Sequence, residues 1–139
     1  MSDFPVTVFH NPACGTSRNV VAAVKEAGYA PKVVEYLKAG WTKDQLKDLL
    51  ATMKAAPRDI LRERGTPAAE LGLDKASDDQ ILDAMVANPI LVNRPIVVTP
   101  KGAALCRPSE QVFTLLEKAP ETFTKEDGET VAPGSLPRS

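Results

Sequence analysis

The sequence predicts an α/β fold in which one sheet of about four strands carries helices on its faces. Three observations predict it. Runs of β-forming residues lie at 6–9, 32–37 and 96–106, capped helical segments separate them, and the first two runs are joined through a helix. That connection makes the first two strands parallel, with a right-handed crossover. The expected order is βαβ, a helical insert and ββα.

The first unit reads as strand, loop and helix. A short β-forming run at 6–9 precedes the loop 10–19, and a helical run closed by Gly28 follows it. The apolar run 32–37 is expected to be the second strand. Cys14 therefore lies where the loop enters the helix.

A cluster of short helices is expected at about 42–88. Thr42 and Ser77 each begin a capping box, in which a Gln follows three residues later. Pro57 is expected to open a shorter helix. Another is expected to begin at Thr66-Pro67 and to end near Gly72. These helices form an insert between the strands.

The last third of the chain returns to strands. The apolar run 96–98 and the run 103–106 flank a Pro-Lys-Gly turn, which predicts a hairpin. Ser109 is expected to cap a last helix. From about 119 to 139, Pro, Gly, Ser, Thr and charged residues dominate, which predicts a loosely ordered tail. We expect residues 1–139 to form a single domain.

Composition excludes several classes of function. The formal net charge is -1, so nothing indicates a nucleic-acid footprint, and no apolar run approaches a membrane span. No signal peptide is recognisable, which favours a cytoplasmic protein with reduced thiols. The two cysteines are Cys14 and Cys106, and His10 is the one histidine. No zinc spacing exists, so we expect no protein-held metal.

The loop around Cys14 carries the first chemical signal. A thiol at a helix N-terminus has a lowered pKa because backbone N–H groups favour the thiolate. The same amides can hold an oxyanion, and Gly15 lets the backbone approach a ligand. His10 could favour the thiolate if protonated, or orient the loop. The alternatives are a buried structural cysteine and a hydrogen-bonded turn histidine.

Arginine placement is the second signal. Arg94 precedes one strand of the predicted hairpin and Arg107 follows the other, so both guanidiniums should lie at the same side of the sheet. Arg62 lies in the helical insert, and Arg18 follows Cys14 by four residues. The planar fork of arginine suits tetrahedral oxyanions, whereas lone arginines beside strands are usually surface residues. Arg18 is expected on the exposed face of its helix.

Spacing tests two cysteine chemistries. A cysteine phosphatase loop needs an arginine six residues after the cysteine, where this chain has Val20 and Val112. A dithiol oxidoreductase needs Cys-x-x-Cys, where this chain has Ser17. The site is therefore monothiol and needs a second thiol from elsewhere. Cys106 is interpreted as a buried strand residue rather than that thiol.

The chain resembles the glutaredoxin-coupled arsenate reductases. The resemblance covers nearly the whole chain and is carried by His10-Asn11-Pro12-Ala13-Cys14-Gly15-Thr16-Ser17-Arg18-Asn19, Ile60-Leu61-Arg62, Pro89-Ile90-Leu91-Val92-Asn93-Arg94-Pro95-Ile96-Val97-Val98-Thr99-Pro100, Leu105-Cys106-Arg107-Pro108-Ser109-Glu110 and Phe123-Thr124-Lys125-Glu126-Asp127-Gly128.

The resemblance implies a thioredoxin-like fold with an inserted helical subdomain. It implies Cys14 as the nucleophile, with His10 lowering the pKa of its thiol. It implies an oxyanion-binding trio made of Arg62, Arg94 and Arg107. Loop support is expected from Asn11, Gly15, Thr16 and Ser17. Pro95 is the cis-proline implied by the resemblance, although an edge-strand proline is the alternative.

The function that follows is reduction of arsenate to arsenite, with glutathione as co-substrate, glutaredoxin as protein partner and no tightly bound cofactor. We expect a monomer that binds neither nucleic acid nor membrane. One alternative is a non-enzymatic thioredoxin-like adaptor or transcription regulator that uses the helical insert as its interface. Another is general glutathione–disulfide exchange, which needs no oxyanion-binding arginines.

Overall fold

The computed structural model describes residues 4–107 and 109–132. The chain divides into two compact units. One unit, called the sheet unit below, comprises Met1–Glu35 and Arg94–Ser139. The other, called the helical unit, is Tyr36–Asn93. The helical unit thus begins six residues before and ends five residues after the predicted insert of 42–88.

The sheet unit holds a four-stranded mixed sheet of order β2-β1-β3-β4. Its strands are β1 (Thr7–His10), β2 (Lys32–Glu35), β3 (Ile96–Thr99) and β4 (Gly102–Leu105). β1 and β2 are parallel, whereas β3 is antiparallel to both β1 and β4. The predicted α/β fold, the parallel first pair and the later hairpin are confirmed.

Helix α1 (Gly15–Glu26) joins β1 to β2. Val20, Ala23 and Val24 are fully buried on its inner face and belong to one apolar core with Val8 and Val97 of the sheet. Spacing of three and four residues places these side chains on one stripe of the helix. This packing fixes the first turn of α1 relative to the end of β1.

The helical unit contains α2 (Tyr36–Ala39), α3 (Lys43–Met53) and α4 (Asp78–Ala87), with 3-10 helices at Pro57–Ile60, Leu73–Lys75 and Pro89–Leu91. Both predicted capping boxes are present. The Oγ1 atom of Thr42 accepts the Gln45 N–H at 3.1 Å, and Oγ of Ser77 accepts the Gln80 N–H at 3.2 Å. The local sequence signals therefore place the two long helices correctly.

Two predictions at and within the helical unit are wrong, the end of the second strand and the helix that begins at Thr66. The strand predicted over 32–37 ends at Glu35, because Tyr36 turns into α2 and donates its hydroxyl to the Val92 carbonyl at 3.0 Å. The helix predicted from Thr66 is a series of turns. The Thr66 hydroxyl donates back to the Arg62 carbonyl at 2.7 Å, and Gly72 adopts a φ of 68° before the 3-10 helix begins.

The C-terminal part of the sheet unit also differs from expectation. The last predicted helix is a 3-10 helix, Ser109–Leu115. Where the sequence predicts a loosely ordered tail, β5 (Phe123–Thr124) and β6 (Thr130–Val131) form a hairpin. Phe123 is buried and meets Phe113 edge-on at 5.8 Å between ring centres, which explains the order. Residues 133–139 of the predicted tail lie outside the described residues.

Candidate active site

The sheet register brings three distant segments to one edge. β1 lies antiparallel to β3 with Phe9 opposite Ile96, so the end of β1 adjoins the start of β3. β3 pairs with β4 with Ile96 opposite Leu105, so the end of β4 lies there too. The loop after His10, the residue Arg94 and the residue Arg107 therefore meet at this edge.

Cys14 is the N-cap residue of α1 and has extended backbone angles, φ -98° and ψ 122°. Its N–H donates to the Asn11 carbonyl at 3.0 Å, and its carbonyl accepts the Arg18 N–H at 3.0 Å. The Asn11 side chain accepts the Ala13 N–H at 2.9 Å. These bonds form a tight turn that delivers the thiol to the start of the helix. The Cys14 residue is 8% exposed.

Arg107 reaches the thiol directly. Its Nη1 atom lies 3.6 Å from Cys14 Sγ and donates to the Arg94 carbonyl at 3.0 Å. The Arg94–Pro95 peptide bond is cis, and the Pro95 carbonyl accepts the Cys106 N–H at 2.9 Å. The Arg94 carbonyl therefore holds the Arg107 guanidinium beside the sulfur.

The pKa of the Cys14 thiol is lowered. Burial alone would raise this pKa, because a charge is costly away from water. The Ser17 backbone N–H, the positive charge of Arg94 and the hydrogen bond and charge of Arg107 act in the opposite direction and outweigh burial. The site therefore favours a thiolate.

His10 contacts Ser17. Its Nδ1 atom lies 2.6 Å from the Ser17 hydroxyl oxygen, which also accepts the Asn11 N–H at 3.0 Å. Burial lowers the pKa of the imidazole, with Arg18 acting in the same direction and Glu35 against it. The lowered pKa favours the neutral form of the ring. This arrangement favours the loop-orienting alternative over a protonated imidazole acting on Cys14.

The first turn of α1 supplies further polar groups. Gly15, Thr16 and Ser17 are its first three residues. Their N–H groups come before the Arg18 N–H, which is the first to bond within the helix, and they face the N-terminal end of the helix. Together with the macrodipole they favour negative charge beside Cys14.

Cys106 differs from Cys14 in the depth of its burial and in the direction of its pKa shift. It is fully buried in the apolar core of the sheet unit, and this burial raises the pKa of its thiol to about 12. Both cysteines are free thiols. Cys106 is therefore an unreactive thiol. It is buried as predicted, but it lies directly after β4, which ends at Leu105, rather than within the strand.

Arg62 lies in the helical unit. The preceding Leu61 forms an isolated antiparallel bridge with Val92, and the Arg62 N–H donates to the Leu91 carbonyl at 2.7 Å. Its Nε atom donates to the Arg64 carbonyl at 3.1 Å. The structure thus brings together Cys14, Arg94 and Arg107 in one unit and places Arg62 in the other.

Arg18 has a role that sequence reasoning missed. Its side chain is exposed, as expected, but it donates to the Pro12 carbonyl at 2.8 Å and to both carboxylate oxygens of Glu126 at 2.8 and 3.0 Å. The partners of this ion pair are 108 positions apart. In the sequence, the signal that could have pointed to this pair is the segment Phe123–Gly128, which is among those that resemble the arsenate reductases.

Across residues 4–107 and 109–132, no group of three or more His, Cys, Asp or Glu side chains is arranged to hold a metal ion. None of the helices in those same ranges is long and apolar enough to cross a membrane.

The chain is similar to known proteins over most of its length. The sequence model of the ArsC family matches residues 9–115. The arsenate reductase ArsI1 of Synechocystis sp. is 55% identical over 134 residues, covering 94% of this chain and 93% of that protein. An arsenate reductase of Escherichia coli is 49% identical over 129 residues, covering 91% and 92%.

Solved structures agree. An arsenate reductase from Vibrio cholerae superposes with a TM-score of 0.78 at 35% identity, covering 83% of this chain and all of that one. The similarity extends over the Cys14 loop and both arginine-bearing strand ends, because the family match includes them. The chain therefore belongs to the ArsC family, whose solved members share its thioredoxin-like fold.

Proposed function

We propose that this protein is an arsenate reductase in which the Cys14 thiolate attacks arsenate and glutathione with glutaredoxin supplies the electrons. The observation that carries the proposal is the 3.6 Å contact between Cys14 Sγ and Arg107 Nη1 at the first turn of α1. It combines a stabilised nucleophile with fixed positive charge. Names of close relatives support the substrate.

Arsenate carries two negative charges near neutral pH, so a thiolate that approaches it meets repulsion. Arg94 and Arg107 offset this repulsion, and the first-turn amides of Gly15 and Thr16 offer hydrogen bonds to the oxygens. Asn11 supports the loop that presents these amides. We assign Arg62 as the third oxyanion-binding arginine, supported by its position in the motif shared with arsenate reductases.

The reaction has two stages. Cys14 Sγ attacks the arsenic atom, a sulfur–arsenic bond forms, and one arsenate oxygen leaves as water or hydroxide. The glutathione thiolate then attacks the Cys14 sulfur, the sulfur–arsenic bond breaks, and its electron pair stays on arsenic. Arsenate is thereby reduced by two electrons to arsenite, and two thiols become the Cys14–glutathione disulfide.

The second thiol has to come from outside the chain. Ser17 stands where a dithiol site has its second cysteine, and burial raises the pKa of the Cys106 thiol to about 12. Glutathione fits as co-substrate, and glutaredoxin would reduce the mixed disulfide by thiol–disulfide exchange. We infer that the protein acts as a monomer in the cytoplasm, where thiols stay reduced, and needs no tightly bound cofactor.

His10 and Ser17 are positioning residues in this scheme. The neutral imidazole contacts the Ser17 hydroxyl, and that hydroxyl holds the Asn11 N–H. The contact ties the end of β1 to the first turn of α1. The direction in which Cys14 points depends on this tie.

The test is a reconstituted assay of arsenite formation from arsenate with glutathione, glutaredoxin, glutathione reductase and NADPH. One component is omitted at a time. We expect turnover that requires both glutathione and glutaredoxin, loss of turnover in Cys14→Ser and unchanged turnover in the matched control Cys106→Ser. Near-wild-type turnover by Cys14→Ser would rule out the scheme. Absence of turnover by folded, reduced wild-type protein would favour the adaptor alternative.

A further inference from the structure

The hairpin of β5 and β6 contacts two elements that adjoin the candidate active site, helix α1 after Cys14 and the 3-10 helix after Arg107. On one side, the Glu126 carboxylate pairs with Arg18, and the Glu126 N–H donates to Asn19 Oδ1 at 3.0 Å. Both of these partners belong to α1, which begins directly after Cys14. The turn between β5 and β6 therefore grips the helix that presents the nucleophile.

On the other side, the hairpin is anchored to the 3-10 helix Ser109–Leu115, which begins two residues after Arg107. Lys125 Nζ lies 2.7 Å from Glu110 Oε1, and these two side chains are 9% and 13% exposed. Phe123 packs edge-on against Phe113. A buried ion pair and an aromatic contact give this side a firm attachment.

Arg18 extends the grip into the Cys14 loop. Its Nε and Nη2 atoms bind Glu126, and Nη1 donates to the carbonyl of Pro12, two residues before Cys14. The two bonds to the carboxylate restrict the rotation of the guanidinium. Restricting it keeps Nη1 aimed at the loop. Without the two bonds to Glu126, the single bond from Nη1 to the Pro12 carbonyl would leave the guanidinium free to rotate.

We propose that the β5–β6 hairpin is a clamp that fixes Cys14 relative to Arg107, with Arg18 and Glu126 as its positioning residues. The proposal rests on the proposed function only for its effect on arsenate turnover. It assigns a role to the segment Phe123–Gly128, which is distant in sequence from Cys14 and from all three arginines of the predicted trio.

This positioning role is distinct from a contribution to the stability of the fold. Arg18 and Glu126 are 45% and 47% exposed, and an exposed ion pair contributes little to folding. The Cys14–Arg107 contact, in contrast, depends steeply on distance, and a small misplacement of a reacting group costs activity. Loss of the pair should therefore change the site while leaving the fold intact.

The experiment uses full-length Glu126→Gln, Arg18→Gln and the double variant. We expect each single variant to lower kcat/KM for arsenate by about tenfold. We also expect each to move the midpoint of the pH profile of Cys14 alkylation by iodoacetamide to higher pH. The double variant should be no worse than either single variant, because both remove the same tie. Arg18→Lys should behave like Arg18→Gln, since an ammonium lacks the fork.

Asp79→Asn is the matched control, because it removes one exposed ion pair, that with Lys43, from the helical unit. We expect wild-type alkylation and turnover from it. Unchanged alkylation midpoints in the Arg18 and Glu126 variants would overturn the clamp, as would additive losses in the double variant. A lowered thermal unfolding midpoint with an unchanged alkylation profile would also overturn it.

The alkylation profile requires neither arsenate nor glutathione. A wild-type protein that reduced no arsenate would therefore refute the proposed function while the clamp was still judged by its alkylation midpoints.

Discussion

Arg107 Nη1 lies 3.6 Å from Cys14 Sγ, although the two residues are 93 positions apart in the chain. The same nitrogen donates to the Arg94 carbonyl at 3.0 Å. A backbone carbonyl thus holds the nitrogen that contacts the sulfur. A fixed cation of this kind stabilises a thiolate without having to reorganise when substrate binds.

Replacing Arg107 or Arg94 by lysine should separate the effect of positive charge from the effect of the guanidinium geometry. Arg107→Lys retains charge but loses the planar guanidinium whose Nη1 atom contacts both Cys14 and the Arg94 carbonyl. We therefore expect kcat/KM to fall by about tenfold or more and the alkylation midpoint of Cys14 to rise. Arg94 acts on Cys14 through its charge. Arg94→Lys should therefore raise KM for arsenate and leave the alkylation midpoint nearly unchanged.

The control for these variants is Arg64→Lys, because Arg64 is exposed and contributes its backbone carbonyl rather than its side chain to the contact with Arg62. It should match wild type in both measurements. An Arg107→Lys protein with wild-type kcat/KM and alkylation midpoint would refute the role given to the guanidinium.

Titration of His10 should couple to stability. Burial lowers the pKa of His10 below its ordinary value of 6.5, so the unfolded chain binds more protons than the folded chain between the two values. The free energy of unfolding should therefore rise with pH across that window and fall as the pH drops through it. His10→Gln should flatten this slope in urea denaturation measured from pH 7 downwards.

Nuclear magnetic resonance offers a direct reading of the same group. The chain has one histidine, so an untagged protein gives one imidazole titration. A midpoint below 6.5 is expected. A midpoint above that value would mean that His10 is charged in the fold and would contradict the neutral tie to Ser17.

Cys106 should be silent in the native protein. It is fully buried, and burial raises the pKa of its thiol to about 12. A chromogenic disulfide reagent should titrate one thiol per chain in buffer and both cysteines in denaturant. Rapid reaction of both thiols without denaturant, or a disulfide between them after mild oxidation, would contradict the monothiol assignment.

Replacing Gly15 tests whether arsenate binds at the first-turn amides of α1. A Cβ atom added there would meet Arg18 Nη2 at 3.7 Å and Glu126 Oε1 at 3.8 Å, which are ordinary contact distances. Gly15→Ala should therefore fold normally, with a stability change within about 1 kcal/mol. If arsenate approaches this backbone, kcat/KM should still fall by about tenfold. Unchanged kcat/KM would place the substrate elsewhere.

Local signals made much of the fold predictable. The capping boxes at Thr42 and Ser77 depend on contacts within three residues, so the sequence alone located α3 and α4. The nearness of Arg94 and Arg107 was also predictable, because a short turn sets the register of the β3–β4 hairpin. Their nearness to Cys14 required the pairing of β1 with β3, which no local pattern dictates.

Long-range contacts account for what was missed. Arg18 has the local environment of a solvated helix residue, and only folding brings Glu126 to it. Phe123 lies in a segment whose polar composition predicts a loose tail, yet its ring is buried against Phe113. The pKa of His10 depends on burial and on the opposing charges of Glu35 and Arg18, and the sequence alone gives no measure of either.

The most direct test of the central claim is a single-turnover experiment without glutaredoxin. Reduced protein is mixed with arsenate and glutathione, arsenite is quantified, and the protein is analysed by intact and peptide mass spectrometry. We predict one arsenite per chain and one glutathione disulfide-bonded to Cys14, with no adduct when arsenate is omitted. An adduct that forms equally without arsenate, or arsenite release that leaves Cys14 unmodified, would contradict the account.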